Sequence, residues 1–409
     1  MMGITASTRA AASLAGLAML GTGTTAAAQA RREPETAISL SLDVRHDSNV
    51  ARSNAASASA RNLSRADQRA TPAINVVVSR PLGRNMLSLN ASAGYDFYRR
   101  NKRFNRERLS LGSAANVLAG PLTVDLAATL SRSQSDPGDL APLLIPGANS
   151  LRNRSTVQDY SGSVRLGSSP YGLKPMASFG YSQGNNSNEL RRISNYRSTR
   201  YGGGVSYDGP ALGSFTAQYL RTDSEYPDRP ATFSQTGFSS DRIELTARRE
   251  LGSVLTGSAG ISWISLKPDI AGSDPSLSTV GWNVALTAVP RPDLQITGAF
   301  ARDVSPSLGT DALYQVGNTY SLDATYQFVR EQALTIRGSI NDRRFVGAGR
   351  FFGLPLTDSV QRFVSASWSF NQGRPLGAAI DVGYQDRDGN GTFFDYSSVY
   401  VGIRTTYRI

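Results

Sequence analysis

YSSVYVGIRTTYRI, residues 396–409, is the stretch whose reading decides the fold. At period two it divides into Val399, Val401, Ile403, Thr405, Tyr407 and Ile409 on one face and Tyr400, Gly402, Arg404, Thr406 and Arg408 on the other. Successive side chains of a β-strand point to opposite sides, so this is a strand with one apolar face and one face holding two arginines. Such a strand suits a wall between lipid and a wet interior, and it also suits one layer of a water-soluble sandwich. The rest of the chain tips the balance by repeating the arrangement.

From residue 37 onward the alternation recurs in about eighteen segments, with 16 to 20 as the range that a merged or missed hairpin allows. The first spans 37–46, where Ile38, Leu40, Leu42 and Val44 alternate with Ser39, Ser41, Asp43 and Arg45. A polar connection at 47–71 leads to a second strand at 72–80, and a third at 85–99 sets Leu87, Leu89, Ala91, Ala93, Tyr95 and Phe97 against Ser88, Asn90, Ser92, Gly94, Asp96 and Tyr98. Runs of this length are long for a globular strand and right for a tilted membrane crossing. Short connections (Gly120-Pro121, Asp208-Gly209-Pro210, Arg330-Glu331) alternate with long ones (134–154, 184–195, 224–238, 344–358). Tight turns at one end and longer loops at the other are the outer-membrane pattern, with the turns periplasmic and the loops external. In lipid every backbone group needs an internal partner, so the sheet has to close, first strand on last. The expected fold is therefore all-β, a transmembrane antiparallel β-barrel.

Composition agrees. The 409 residues include no cysteine, which excludes disulfide and thiolate chemistry, and the mean hydropathy of -0.28 excludes a helical membrane protein but not a barrel. Lys+Arg is 43 against Asp+Glu 32, a net charge of +11, yet the arginines are spread over strands and loops rather than gathered in the patch a nucleic-acid binder needs. Residues 1–30 combine Arg9, the apolar run Ala11–Leu20 and Ala28-Gln29-Ala30, which describes a secretory signal peptide followed by a barrel domain at 31–409.

The strand phases assign thirteen charged residues to the polar interior: Asp43, Arg45, Asp96, Asp125, Asp159, Arg165, Glu244, Arg248, Asp323, Arg337, Asp381, Arg404 and Arg408. Fixed charges of both signs around water orient polar solutes, and a positive balance prefers anions; the same charges can instead pair and stiffen the wall. RRNKRFNRER at 99–108 supplies an external basic rim of Arg99, Arg100, Lys102, Arg103, Arg106 and Arg108, suited to lipopolysaccharide phosphates or an acidic polysaccharide. Arg343, Arg344, Phe345, Phe351 and Phe352 flank a glycine-rich loop that is a candidate constriction. The single histidine, His46, has no legible nucleophile partner, and no metal-ligand cluster or cofactor motif is present, so no enzymatic activity and no cofactor is expected. Asp386, Asp388, Asn390 and Gly391 faintly echo a calcium loop without its closing Glu, since position 397 is Ser, and read as a hairpin loop.

Val44-Arg45-His46-Asp47-Ser48-Asn49-Val50, leaving the first strand, resembles the opening of the beta-barrel porin 2 family, with His46 where an aromatic is common. The resemblance implies a bacterial outer-membrane barrel, and relatives that accompany polysaccharide biosynthesis and export genes imply a role in moving or retaining exopolysaccharide. Such barrels end in Phe or Trp for recognition by the barrel-assembly machinery; here the end is Ile409, with Tyr407 and the apolar alternation keeping the rest of that signal. Two function classes follow as expectations: a porin-like channel for polysaccharide or small polar and anionic solutes, and a non-conducting barrel that anchors surface polysaccharide or an envelope complex.

Overall fold

The computed structural model describes residues 34–135, 137, 152–167, 169–230, 235–252, 254–270, 272, 276–348, 356–391 and 394–409. The signal-peptide segment, most of the 134–154 connection, Phe351 and Phe352 lie outside the described residues. The strands are β1 (Glu35–Asp47), β2 (Asp67–Leu82), β3 (Asn85–Tyr98), β4 (Arg106–Ala119), β5 (Leu122–Gln134), β6 (Arg154–Leu166), β7 (Gly172–Asn186), β8 (Tyr196–Gly209) and β9 (Gly213–Glu225). They continue as β10 (Gly237–Leu251), β11 (Leu255–Pro268), β12 (Leu277–Arg291), β13 (Leu294–Ser305), β14 (Tyr314–Val329), β15 (Gln332–Val346), β16 (Asp358–Phe370), β17 (Leu376–Gly389) and β18 (Tyr396–Arg408). One short helix, α1 (Ala55–Ala60), sits between β1 and β2.

Each strand pairs antiparallel with its sequence neighbours, and β1 pairs with β18, so the 18-stranded sheet has no edge. At the seam Asp43 faces Arg404 and Val44 faces Ile403, and the Ile409 amide donates to the Ile38 carbonyl at 2.9 Å. Closure satisfies the backbone groups that an edge strand would leave bare. The expected barrel, its even strand count and its first-to-last pairing are all observed.

Many strands run one to three residues further into the connections than the sequence reading, and two differences bear on charged residues. β2 begins at Asp67, five residues before the predicted 72, because its polar start pairs in full register with β1 up to Asp47↔Asp67. β17 runs through Gly389, so Asp386 and Asp388 are strand residues, and Asp386 accepts from Arg362 at 2.8 Å.

Gly83 and Gly120 take positive φ of 67° and 59° in the two-residue turns after β2 and β4, a conformation that costs glycine nothing. These short turns lie at the same end as the start of β1 and the end of β18. At the other end lie the long connections.

The outer face is apolar over most of its height. Ile403, Ile243 and Trp263 stand 56%, 58% and 54% exposed, and Leu245, Ile261, Leu322, Val364 and Val401 join them around the wall. A continuous apolar belt of this extent is insoluble as a water-facing surface and stable as a lipid-facing one. No described helix is long and apolar enough to cross a membrane; the strands make the crossing. The chain is an outer-membrane β-barrel, with the short turns, the start of β1 and the end of β18 on the periplasmic side.

Candidate functional site: a charged wall beneath a capped mouth

On the face of the strands opposite the apolar belt, charged side chains form a diagonal ladder across the closing seam. Asp381 on β17 meets Arg404 on β18 at 3.5 Å, and Arg404 meets Asp43 on β1 at 3.5 Å. Asp43 meets Arg69 on β2 at 3.4 Å, Arg69 meets Asp96 on β3 at 3.7 Å, and Asp96 meets Arg108 on β4 at 3.1 Å. Signs alternate over six consecutive strands, each partner reached directly or on the diagonal of the antiparallel ladder, the geometry in which cross-strand charges support one another. Arg45 adds a fourth guanidinium, 3.9 Å from Asp43 and stacked 4.1 Å over the Tyr400 ring. Gly383 makes room for that ring: a Cβ there would sit 2.5 Å from its carbons.

β10 lies nine strands from β1 in either direction round the ring, and its wall carries a second charged group. Arg242 on β10 pairs with Asp303 on β13, reaching past β11 and β12. A contact that skips two strands forms where side chains converge, on the concave inside of a closed sheet. Arg200 on β8 has Asp303, Arg242, Glu244 and Asp159 within electrostatic range, and Glu244 is only 4% exposed.

The other residues singled out from the sequence are distributed along the same face. Asp125 pairs with Arg165 at 2.8 Å, and Asp323 pairs with Arg337 at 2.9 Å. Asp159 accepts from Ser182 at 2.6 Å and Thr129 at 3.2 Å. Arg408 lies 3.7 Å from Glu35 at the seam's periplasmic end, and Arg248 sits on β10 opposite Ser214. Of the basic rim, Arg99 donates to Gln68, Arg100 to Ser64, and Arg103 to the carbonyls of Arg61 and Asn62. Lys102 lies in a short 3-10 turn, and Arg106 opens β4. Arg108 departs from the rim reading, because Asp96 draws it into the ladder.

Sequence reasoning missed Arg69, Arg242 and Asp303, and it grouped Arg200 with the external basic rim, whereas on β8 that residue faces the inner wall beside Arg242 and Asp303. Arg69 fell in a stretch read as connection, yet it shares strand phase with Thr71, which donates to Asp96 at 2.6 Å. Arg242 stands two residues before Glu244, on the same face, and could have been found by that spacing.

The long connections converge over the mouth. Residues 306–313 join β13 to β14, and Ser307, Thr310, Asp311, Ala312 and Leu313 are all buried. Asn186 on β7 donates to the Leu308 carbonyl at 3.3 Å, and Ser194 to the Thr310 carbonyl at 2.6 Å. Ala312 shares an apolar cluster with Phe345, Leu356 and Phe394, the last from the β17–β18 connection. A segment that meets both β7 and the β17–β18 connection cannot follow the rim; it projects inward across the mouth. Arg229, 5% exposed in the β9–β10 connection, locks it by donating to the carbonyls of Ile193 (2.9 Å), Gln235 (3.1 Å), Asp311 (3.1 Å) and Ala312 (2.8 Å). Its guanidinium lies 3.7 Å over the Tyr226 ring, whose hydroxyl donates to the Leu313 carbonyl, and burial pushes that phenol up to about 12. The predicted constriction at 344–358 is represented among the described residues by Phe345 and Leu356, both packed on this inward loop. On the β1 side, Arg61 ties α1 to its surroundings through the carbonyls of Ser57, Ala51 and Pro137, beside the buried Ala51, Ala58, Leu63 and Phe104.

No family model matches the sequence, and no curated protein matches it. Among solved structures, the chain is similar in outline to OccK2 (OpdF) of Pseudomonas aeruginosa, at 10% identity over 92% of this chain and 98% of that one with a TM-score of 0.43. It is likewise similar to the outer membrane protein opdK of Pseudomonas aeruginosa, at 10% identity over 92% and 99% with a TM-score of 0.44. A BenF-like porin from Pseudomonas fluorescens Pf-5 gives 11% identity over 92% and 99%, also with a TM-score of 0.44.

Proposed function

We propose that the barrel is a porin-like channel for small polar solutes with a preference for anions. The observation that carries this reading is the seam ladder, in which Arg45, Arg69, Arg108 and Arg404 outnumber Asp43, Asp96 and Asp381, opposite a wall where Arg200 and Arg242 lie among Asp159, Glu244 and Asp303. Opposite charges held on facing walls set a field across the lumen, and the surplus of guanidiniums along the seam favours carboxylates and phosphates there. The test is single-channel recording of the refolded barrel in a planar bilayer. Steady conductance, with the larger share carried by the anion of the salt, supports the reading; folded protein that passes no current rejects it.

A second reading has its own support. The inward loop clamped by Arg229 is built like a stopper, which favours a non-conducting barrel that anchors surface polysaccharide or an envelope complex. Polysaccharide as cargo is the finer proposal drawn from the family resemblance. An acidic polysaccharide added on the external side separates these: block of an existing current supports passage or partial entry of the polymer, and retention by a silent barrel supports anchoring.

A further inference from the structure

The outward face of the wall has its own charge pattern. Around β4 to β6 the lipid-facing rows can be followed upward in register. Leu111 faces Leu130 within the apolar belt. The next row sets Leu109, Arg132 and Thr156 side by side, with Arg132 donating to the Thr156 hydroxyl at 3.1 Å. One row further, about 7 Å along the strand beyond Leu109 at the usual rise, come Glu107 on β4 and Arg154 on β6, 2.6 Å apart across β5. Arg152, exposed, follows immediately, and both Arg152 and Arg154 lie within electrostatic range of Arg106. Glu107 thus lies within reach of Arg154 and Arg132, with Arg152 beyond them.

The height of this patch is marked independently. Tyr95 on β3 stands in register with Glu107, is 39% exposed on the outer face, and lies 4.7 Å from the ring of Phe97. An outward Tyr and Phe at a strand's external end mark the girdle at the level of the lipid headgroups. The corresponding rows on β8 to β10 are different: Asp223, Glu225 and Asp241 there balance Arg197 and Arg221. Of these two sectors, the one on β4 to β6 holds the surplus of positive charge at headgroup height.

We propose that this sector, Arg132, Arg152 and Arg154, is a docking site for the phosphate groups of lipopolysaccharide in the outer leaflet. Guanidiniums fork onto phosphate oxygens, and the apolar rows beneath, Leu109, Leu111 and Leu130, receive the acyl chains of the same molecule. Glu107 holds Arg154 in place when the site is empty and competes with the ligand when it is filled.

The experiment mixes the purified barrel in detergent with bis-phosphorylated lipid A, or with lipid A stripped of both phosphates, and counts retained lipid by native mass spectrometry. The wild type is expected to retain the phosphorylated lipid preferentially, and Arg132→Gln/Arg154→Gln to retain about tenfold less, since each basic residue at an anionic surface contributes a few-fold in affinity. Arg197→Gln/Arg221→Gln is expected to match the wild type. Glu107→Gln is expected to retain more, a gain that a folding defect cannot produce. Equal retention of the stripped lipid, displacement by inorganic phosphate alone at matched concentration, or unchanged binding by the Arg132→Gln/Arg154→Gln barrel would overturn the proposal.

Discussion

Among the described residues, Asp43 is the one carboxylate ion-paired with three guanidiniums, those of Arg45, Arg69 and Arg404, and its side chain is 15% exposed. Removing its charge leaves three like charges in mutual repulsion on a partly dry wall. Asp43→Asn is expected to cost the folded barrel roughly 2 kcal/mol in a urea unfolding series, and to move the reversal potential in a salt gradient toward the anion. A stability loss with an unmoved reversal potential would mean that the ladder lies outside the ion path. Gly383 is the matching steric case. Valine there collides with the Tyr400 ring, and the ring carries Arg45, so Gly383→Val is expected to weaken anion preference without touching any charge; an unchanged preference counts against Arg45 as a lumen residue.

At the scale of elements, the strands and the connections were legible to very different degrees. The phase of a strand between lipid and water is written in its own alternation, which is why Leu87, Leu89 and Ala91 could be set against Ser88 and Asn90 from sequence alone. Where the wall rises above the lipid the alternation fades, and the start of β2 at Asp67 was read as loop for that reason. The inward path of 306–313 could not be seen at all. Arg229 donates to backbone carbonyls, which every residue presents, so no partner residue type marks the clamp. Arg229→Gln removes most of those donors and is expected to loosen the cap by on the order of 3 kcal/mol, read as faster amide hydrogen exchange at 307–313 and a noisier or larger single-channel current. Unchanged exchange would show that the cluster of Ala312, Phe345, Leu356 and Phe394 holds the loop by itself.

The phenol of Tyr226 gives that clamp a pH limit. Burial disfavours the phenolate, so the folded value is raised from 10.0 to about 12. A raised value means that the stabilising contribution is complete below the unfolded value of 10.0 and is lost as pH rises through about 12. An ultraviolet titration of the wild type minus Tyr226→Phe is expected to isolate one phenol ionising near 12; ionisation at the ordinary value would show an open cap.

At the scale of the molecule, one face of a closed sheet meets lipid and the other a space that strands from opposite walls share. The outer face answers the hydrophobic effect alone and could be read from period two. The inner face depends on which strands end up opposite, a property of the ring rather than of any segment, and so the Arg242–Asp303 contact escaped the sequence. The belt places the barrel in the outer membrane, the ladder is the ground for the proposed solute passage, and the clamped loop lies across the mouth through which solutes would pass.

The most direct measurement is the reversal potential of single channels in a potassium chloride gradient, taken for the wild type and for the Arg45→Gln/Arg69→Gln/Arg404→Gln barrel. The account predicts a potential on the chloride side for the wild type and a shift toward potassium for the variant. A folded wild type that carries no current, or a potential identical in the two barrels, would contradict it.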